Sequence, residues 1–304
     1  MVEPGVIEPG RSLPADISGA TPRAGSTVLR LMLGTQLRRL REQAGLTPDQ
    51  AGYEIRASRS KISRLEHGRV GFKERDVADL LSLYGVADDQ VRAGMLSLAK
   101  QANAQAWWAQ YGDVLPDWFE AYLGLEGAAS IIRTFELQFV HGLFQTEAYA
   151  RAVTMLGHRA APAGEIERRV GLRMKRQELL TAEDAPRIWS VMDEAALRRP
   201  LGGRDVMRAQ LSHLIEISSL PQVTVQVVPF GQGGHAAAGG SFTILRFAEP
   251  DLADVVYIEQ LSSALYLERR AEVDTYMEVM NHLSAEALTP ADTERLLADI
   301  SREM

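Results

Sequence analysis

"LTPDQAGYEIRASRSKISRLEHG", residues 46 to 68, decides how the first third of the chain is read. Thr47 is a strong helix cap, Pro48 suits the first helical position, and Gln50 stands three residues after the cap, where its amide can return a hydrogen bond. A short helix over 47–55 is expected. Only Arg56 and Ala57 separate it from a second cap, Ser58, and the helix over 58–67 is stopped by Gly68. In that second helix Ile62 and Leu65 share the inward face, so Arg59, Ser60, Lys61, Ser63 and Arg64 point outward. Gly52, inside the first helix, costs about 1 kcal/mol relative to alanine. Close approach of the two helices is the reason to keep it.

Two short helices joined by a tight turn, the second opening on small polar and basic residues, have helix-turn-helix geometry, in which that opening end enters the DNA major groove. Arginine pairs bidentately with guanine O6 and N7, and serine donates to bases or phosphates. The competing reading is a basic surface on an ordinary bundle. It requires the capping pattern, Gly52, the Ser58 cap and the two-residue turn to coincide by accident.

Working outward, Leu33, Leu37 and Leu40 mark a helix before the pair, and further helices are expected from Lys73 to Tyr84 and over 88–103. These give an all-α five-helix bundle over 26–104. Residues 1–25, with four prolines, four glycines and no periodicity, read as a disordered tail. Beyond 105 the texture changes. Helical stripes at 125–137, 146–157, 165–181 and 204–218 alternate with β-like runs at 187–192, 223–230, 241–247 and 255–259, and two helices, 271–284 and 290–302, close the chain. In the second run Val223, Val225 and Val227 oppose Thr224 and Gln226, as in a half-buried strand. The expectation over 105–304 is an α+β domain with a small, mostly antiparallel sheet.

The 304 residues include no cysteine, which excludes disulfides and Cys-based zinc sites and suits a reducing cytoplasm. The start lacks the order of a secretory signal, and no run approaches the roughly 20 apolar residues that span a bilayer. A cytoplasmic protein without a membrane partner is expected. Net charge is −7, yet residues 26–73 hold ten Lys/Arg against four Asp/Glu, a net of +6 that leaves −13 for the rest. A small basic module on a larger acidic body suits a nucleic-acid reader with a second domain.

Chemistry in the larger part is sparse. No Gly-x-Ser-x-Gly, phosphate-loop or His-Glu-x-x-His pattern occurs, so no catalytic residue, metal or cofactor is expected. The stretch "GQGGHAAAGG", 231–240, reads as a lid-like hairpin loop, with ligand contact by His235 as the alternative. Arg168, Arg169, Arg173, Lys175 and Arg176 fall within nine positions of one helix: a solvated or ion-paired face, or a docking surface for an acidic partner or for DNA outside the major groove. Trp107, Trp108, Tyr111, Trp118, Phe119 and Tyr122 read as an interdomain core, and the stripe from Val273 to Leu283 as core or a dimer contact.

On these residues two resemblances rest. Residues 33–84, through an ungapped "LRRLREQAGLTPDQAGYEIRASRSKISRLEHG", resemble the phage-repressor-type helix-turn-helix, the xenobiotic-response-element class of bacterial regulators. That resemblance puts Arg59, Ser60 and Arg64 where the class reads bases, Ser58, Lys61 and Ser63 where it caps the helix or touches phosphate, and Arg41 with Glu66 at its interhelical ion pair. Pro48 departs from a polar residue that often binds phosphate, and Arg56 from the frequent turn glycine. "LEGAASIIRTFELQFVHGLFQTEAYARAV", "RVGLRMKRQELLT" and "DVVYIEQLSSALYL" resemble the C-terminal domain of WhiJ-like actinobacterial regulators, with His141 in place of the family's usual proline. That domain, of unknown function, is often encoded beside a small partner protein in an arrangement likened to antitoxin and toxin. Together they imply a sequence-specific transcriptional regulator that binds double-stranded DNA as a homodimer and senses a small partner protein or a small-molecule effector, without being an enzyme. An antitoxin-like module that sequesters its partner and autoregulates is the alternative.

Overall fold

The computed structural model describes residues 26–68, 70–104, 106–249 and 252–304. The tail expected over 1–25 lies outside the described residues. Helices α1 (Ser26–Gln43), α2 (Pro48–Glu54), α3 (Arg59–Glu66), α4 (Glu74–Leu83) and α5 (Asp89–Ala102) enclose one apolar core. Leu33 and Leu37 of α1, Ile62 and Leu65 of α3, Leu80 and Leu81 of α4 and Met95 of α5 are all but completely buried in it. Each such side chain contributes about 1.5–3 kcal/mol through removal from water, which holds in place helices too short to persist alone.

The rest of the chain runs α6 (Asp117–Ala128), β1 (Ile131–Glu136), α7 (Glu147–Gly157), α8 (Ala163–Arg176), β2 (Arg187–Asp193), α9 (Glu194–Arg198), α10 (Arg204–Ser218), β3 (Val223–Val228), β4 (Phe242–Arg246), β5 (Val255–Glu259), β6 (Ala264–Leu267), α11 (Arg270–Glu286) and α12 (Pro290–Glu303). The small, mostly antiparallel sheet is corrected to a mixed sheet of six strands in the order β3-β2-β1-β4-β5-β6. Strands β1, β2 and β3 pair in parallel, and β4, β5 and β6 continue antiparallel from β1. Parallel pairs need long crossovers, here the segments holding α7–α8 and α9–α10.

The cause of the error is β1. Its residues "IIRTFE" are covered on both faces, so they show none of the alternation that marks a half-buried strand and merge with the end of α6 into one apparent helical stripe. Strand β3 is likewise covered on both faces, since Gln226 is buried as well as the three valines. One sheet face packs on α6, α7, α10 and α12, the other on α11. Val273, Met280 and Leu283 are buried against that second face, so the stripe weighed as a dimer contact is intramolecular core. The expected interdomain aromatic core is also corrected: Trp108 packs with Leu115, Leu123 and Leu172, joining α6 to α8, while Trp107 is partly exposed. Helix α1 does meet α6, and Leu31 lies beside the core beneath α6.

Candidate nucleic-acid interface

Helix α2 begins as the sequence dictates. Gln50 N donates to Thr47 Oγ1 at 3.3 Å, and Thr47 N donates to Gln50 Oε1 at 2.8 Å, so two otherwise unbonded amide donors are satisfied together. Ser58 Oγ accepts from Lys61 N at 3.2 Å and opens α3. A Cβ on Gly52 would stand 2.6 Å from the Ala57 carbonyl oxygen, which accounts for the glycine by close approach. Arg56, at the turn, has φ 52°, the left-handed region that costs a non-glycine residue about 1–2 kcal/mol. Nothing in the sequence signals a further close approach at Gly34 of α1, where a Cβ would stand 2.5 Å from Leu65 O and hold α1 away from α3.

Ser58, Arg59, Ser60, Ser63 and Arg64 are all exposed along the leading end and outer face of α3. The Arg59 side chain is 72% exposed, and its nearest carboxylate oxygen, on Asp49, is 3.9 Å away, too far for a hydrogen bond. On the opposite face Arg41 grips Glu66 with two bonds, Nε to Oε1 at 2.5 Å and Nη2 to Oε2 at 3.0 Å, while Nη1 donates to Leu46 O at 2.7 Å. Both residues are buried, and the bond to Glu66 raises the Arg41 pKa. This pair ties α3 to α1 and to the loop before α2, fixing the angle at which the outer face is presented.

Lys61 is placed differently from its expected phosphate contact. Its Nζ donates to Asp76 Oδ2 of α4 at 2.7 Å in a sheltered position, so the ammonium clasps α3 to α4. The partner is fifteen residues away, and no local pattern points to it. Two further residues are exposed at the rim: Tyr53, 87% exposed on α2 and not singled out by the sequence, and Arg56 in the turn. Tyr53 interrupts an otherwise polar surface, and an exposed aromatic is the signal that marks it.

The basic run of α8 takes the ion-paired form that was one of its two readings. Arg176 is buried and bonds Glu126 through Nε at 3.0 Å and Nη2 at 2.7 Å, beneath the rings of Phe119 and Tyr122. Arg168 reaches Asp113 at 2.8 Å, Arg169 reaches Glu165 at 2.8 Å, and Lys175 reaches Glu178 at 2.8 Å. Arg173 bonds the amide oxygen of Gln145 at 3.0 Å. The carboxylates lie on other elements or on the same helix face, so the charge of the run is paired within the protein, at the surface for Arg168 and Lys175 and in the interior for Arg176. His235 is folded down from its loop: the ring meets Phe135 edge-on at 5.0 Å, Nε2 lies 3.6 Å from Asp193 Oδ2, and Nδ1 accepts from Ala237 N. It anchors the loop to the end of β2. Among the described residues no helix is long and apolar enough to cross a membrane.

Comparison with known proteins agrees with this division of the chain. No curated protein and no solved structure matches it. Residues 32–94 match a helix-turn-helix domain family, so the exposed face of α3 belongs to a DNA-binding element. Residues 119–299 match the family described as a domain of unknown function, DUF5753, which takes in the whole sheet, and the chain is therefore a member of the DUF5753 family with a helix-turn-helix domain at its N-terminal side.

Proposed function

We propose that the chain is a sequence-specific transcriptional regulator that reads an operator in the major groove through α3, with α2 lying across it. The observation that carries this reading is the pair Arg59 and Arg64, exposed on a helix whose other face is locked to α1 by Arg41 and Glu66. An exposed guanidinium held by no carboxylate hydrogen bond is free to meet guanine bidentately. One such head spans only a few base pairs, so a homodimer on a pseudo-palindromic site is the arrangement we assign. The remainder of the chain, at −13, is unsuited to contact phosphate. Its task in this reading is to dimerise and to sense a small partner protein or effector in the cytoplasm, as the likeness to WhiJ-like regulators implies, without catalysis.

The test is selection of bound sequences from a random duplex pool with the full chain and with a variant carrying Arg59→Ala and Arg64→Ala. A palindromic motif that vanishes in the double variant is expected. A motif that persists removes α3 as the reader, and an absence of any enrichment favours the sequestering module, to be pursued by co-purification that survives nuclease.

A further inference from the structure

The sheet face beneath α6 and α8 is not lined as a core should be. Over β1–β3 it carries Ile132, Val225 and Val227, all buried. The strand registers then set Thr134, Thr243, Tyr257 and Tyr266 side by side across β1, β4, β5 and β6. Two residues further along their strands Glu136 and Glu259 continue the same face, at the carboxyl ends of β1 and β5. Thr134 Oγ1 donates to Glu136 Oε1 at 3.1 Å and Tyr257 OH to Glu259 Oε2 at 3.0 Å. Thr134, Thr243 and Tyr257 are buried, Glu136 is half-buried and Glu259 is exposed, so a row of hydroxyls packed under α6 leads out to an acidic rim. The position has a topological reason. The chain adds β2 and β3 on one side of β1 and then returns to add β4 on the other, so the carboxyl ends of β1 and β5 lie at the same edge of the sheet.

Helix α8 and the turn before α7 carry a cation and an imidazole on the same side of the sheet. On α8, Arg168, Arg169 and Arg176 each hold a carboxylate, but Arg173 bonds only the neutral Gln145. Burial and then the neighbouring Arg176 lower the Arg173 pKa to about 10, and Glu259 is the carboxylate that opposes the fall. Next to it His141 is only 5% exposed. Its Nδ1 accepts from Leu143 N at 3.4 Å, which leaves the proton on Nε2, and Nε2 has no hydrogen bond among the described residues. Burial, with Arg176 and Arg173, holds this ring neutral, with a pKa of about 4. A guanidinium that holds no carboxylate, beside an imidazole N–H, is a donor set that takes a carboxylate.

We propose that this site binds a small zwitterion of the amino-acid type, its carboxylate on Arg173 and His141 Nε2 and its ammonium between Glu136 and Glu259. The proposal deepens the sensing half of the function above. Its roof is α6, whose Tyr122 ring lies 4.2 Å from that of Tyr257, and α6 packs against α1 of the reading domain. An occupant of the site thus bears on the helix next to α3.

The experiment is titration of the full chain, without DNA, by calorimetry and thermal shift with the common amino acids, each binder being retested as its N-acetyl and its amide derivative. At least one amino acid should bind, and loss of either charged end should weaken it by about tenfold or more. Arg173→Gln and Glu136→Gln should each do the same, with Arg173→Lys recovering part of the loss. The groups facing Glu136 are Glu259 on β5, Arg176 on α8, Tyr122 on α6 and Tyr149 on α7, and burial followed by Glu259 raises its pKa to about 8. An arriving ammonium should therefore drive a proton off Glu136 at pH 7, visible as a binding enthalpy that changes with the buffer. No binding by any amino acid at millimolar concentration overturns the proposal, as does binding that tolerates loss of both charged ends. The derivatives probe both ends on the intact protein, so a variant that fails to fold does not spoil the test. With no DNA present, either outcome leaves operator reading to its own experiment.

Discussion

Helix α3 carries Arg59, Lys61 and Arg64 within eight residues, and α8 carries Arg168, Arg169, Arg173, Lys175 and Arg176 within fourteen. By charge alone both are basic helices on an acidic protein. On α3 the two arginines stand in solvent, Arg59 with only a long, exposed ion pair to Asp49 at 3.9 Å, while on α8 three arginines hold a carboxylate and one of them is buried. Positive charge is therefore available to a nucleic acid on the first helix and consumed by the fold on the second. The difference lies in where the acids are, and those of α8 come in part from residues about fifty positions earlier in the chain.

The largest effect expected from this contrast is on stability. Glu126→Ala would leave the Arg176 guanidinium buried without its counter-ion under Phe119 and Tyr122, a change that destabilises by about 3–5 kcal/mol. A urea titration should show the midpoint collapse. A midpoint close to that of the unaltered protein would mean that the pair is open to water, and α8 would then be a charged surface after all.

Next in size is a pair of variants that separates the two helices by function. Arg59→Ala should cost about 1–3 kcal/mol on the specific duplex and relax the base preference at one position, with an unchanged urea midpoint because the side chain touches almost nothing. Arg168→Ala removes an exposed pair with Asp113 and should change neither the midpoint nor the duplex affinity appreciably, since such pairs contribute little. Equal losses of DNA binding in the two variants would break the comparison.

The same contrast explains what could be read before any coordinates. The bundle was legible because its signals are local: Thr47 with Gln50, Ser58 with Lys61, Gly52 against Ala57, all within a few residues. The Arg41–Glu66 pair, distant in sequence, was expected only through the resemblance to phage-repressor-type domains. The sheet was half legible. Strands β2 to β5 announce themselves by β-branched runs, but β1 is buried on both faces and β6 has only four residues, so neither shows an alternation to detect. The neighbourhood of Glu136 and Glu259 was not legible at all, because strand order alone sets them on one sheet face, and no spacing along the chain relates them.

The smallest expected effect concerns the one cation of α3 that behaves like those of α8. Lys61 Nζ is held by Asp76 Oδ2 at 2.7 Å, and Asp76 sits in the first turn of α4, where a negative charge also suits the helix dipole. Asp76→Asn keeps the shape and removes the charge. It should release the ammonium toward the DNA backbone, steepening the salt dependence of binding by about one phosphate contact while leaving the selected motif as it was. Lys61→Ala in the unaltered protein should then leave the salt slope nearly unchanged, and in the Asp76→Asn background it should cancel the gained contact. That non-additivity is the signature of a lysine restrained by its partner. If Lys61→Ala alone flattens the slope by a full contact, Asp76 releases the lysine whenever DNA arrives, and α3 is then a helix with three cations at the disposal of its ligand, the opposite limit from α8.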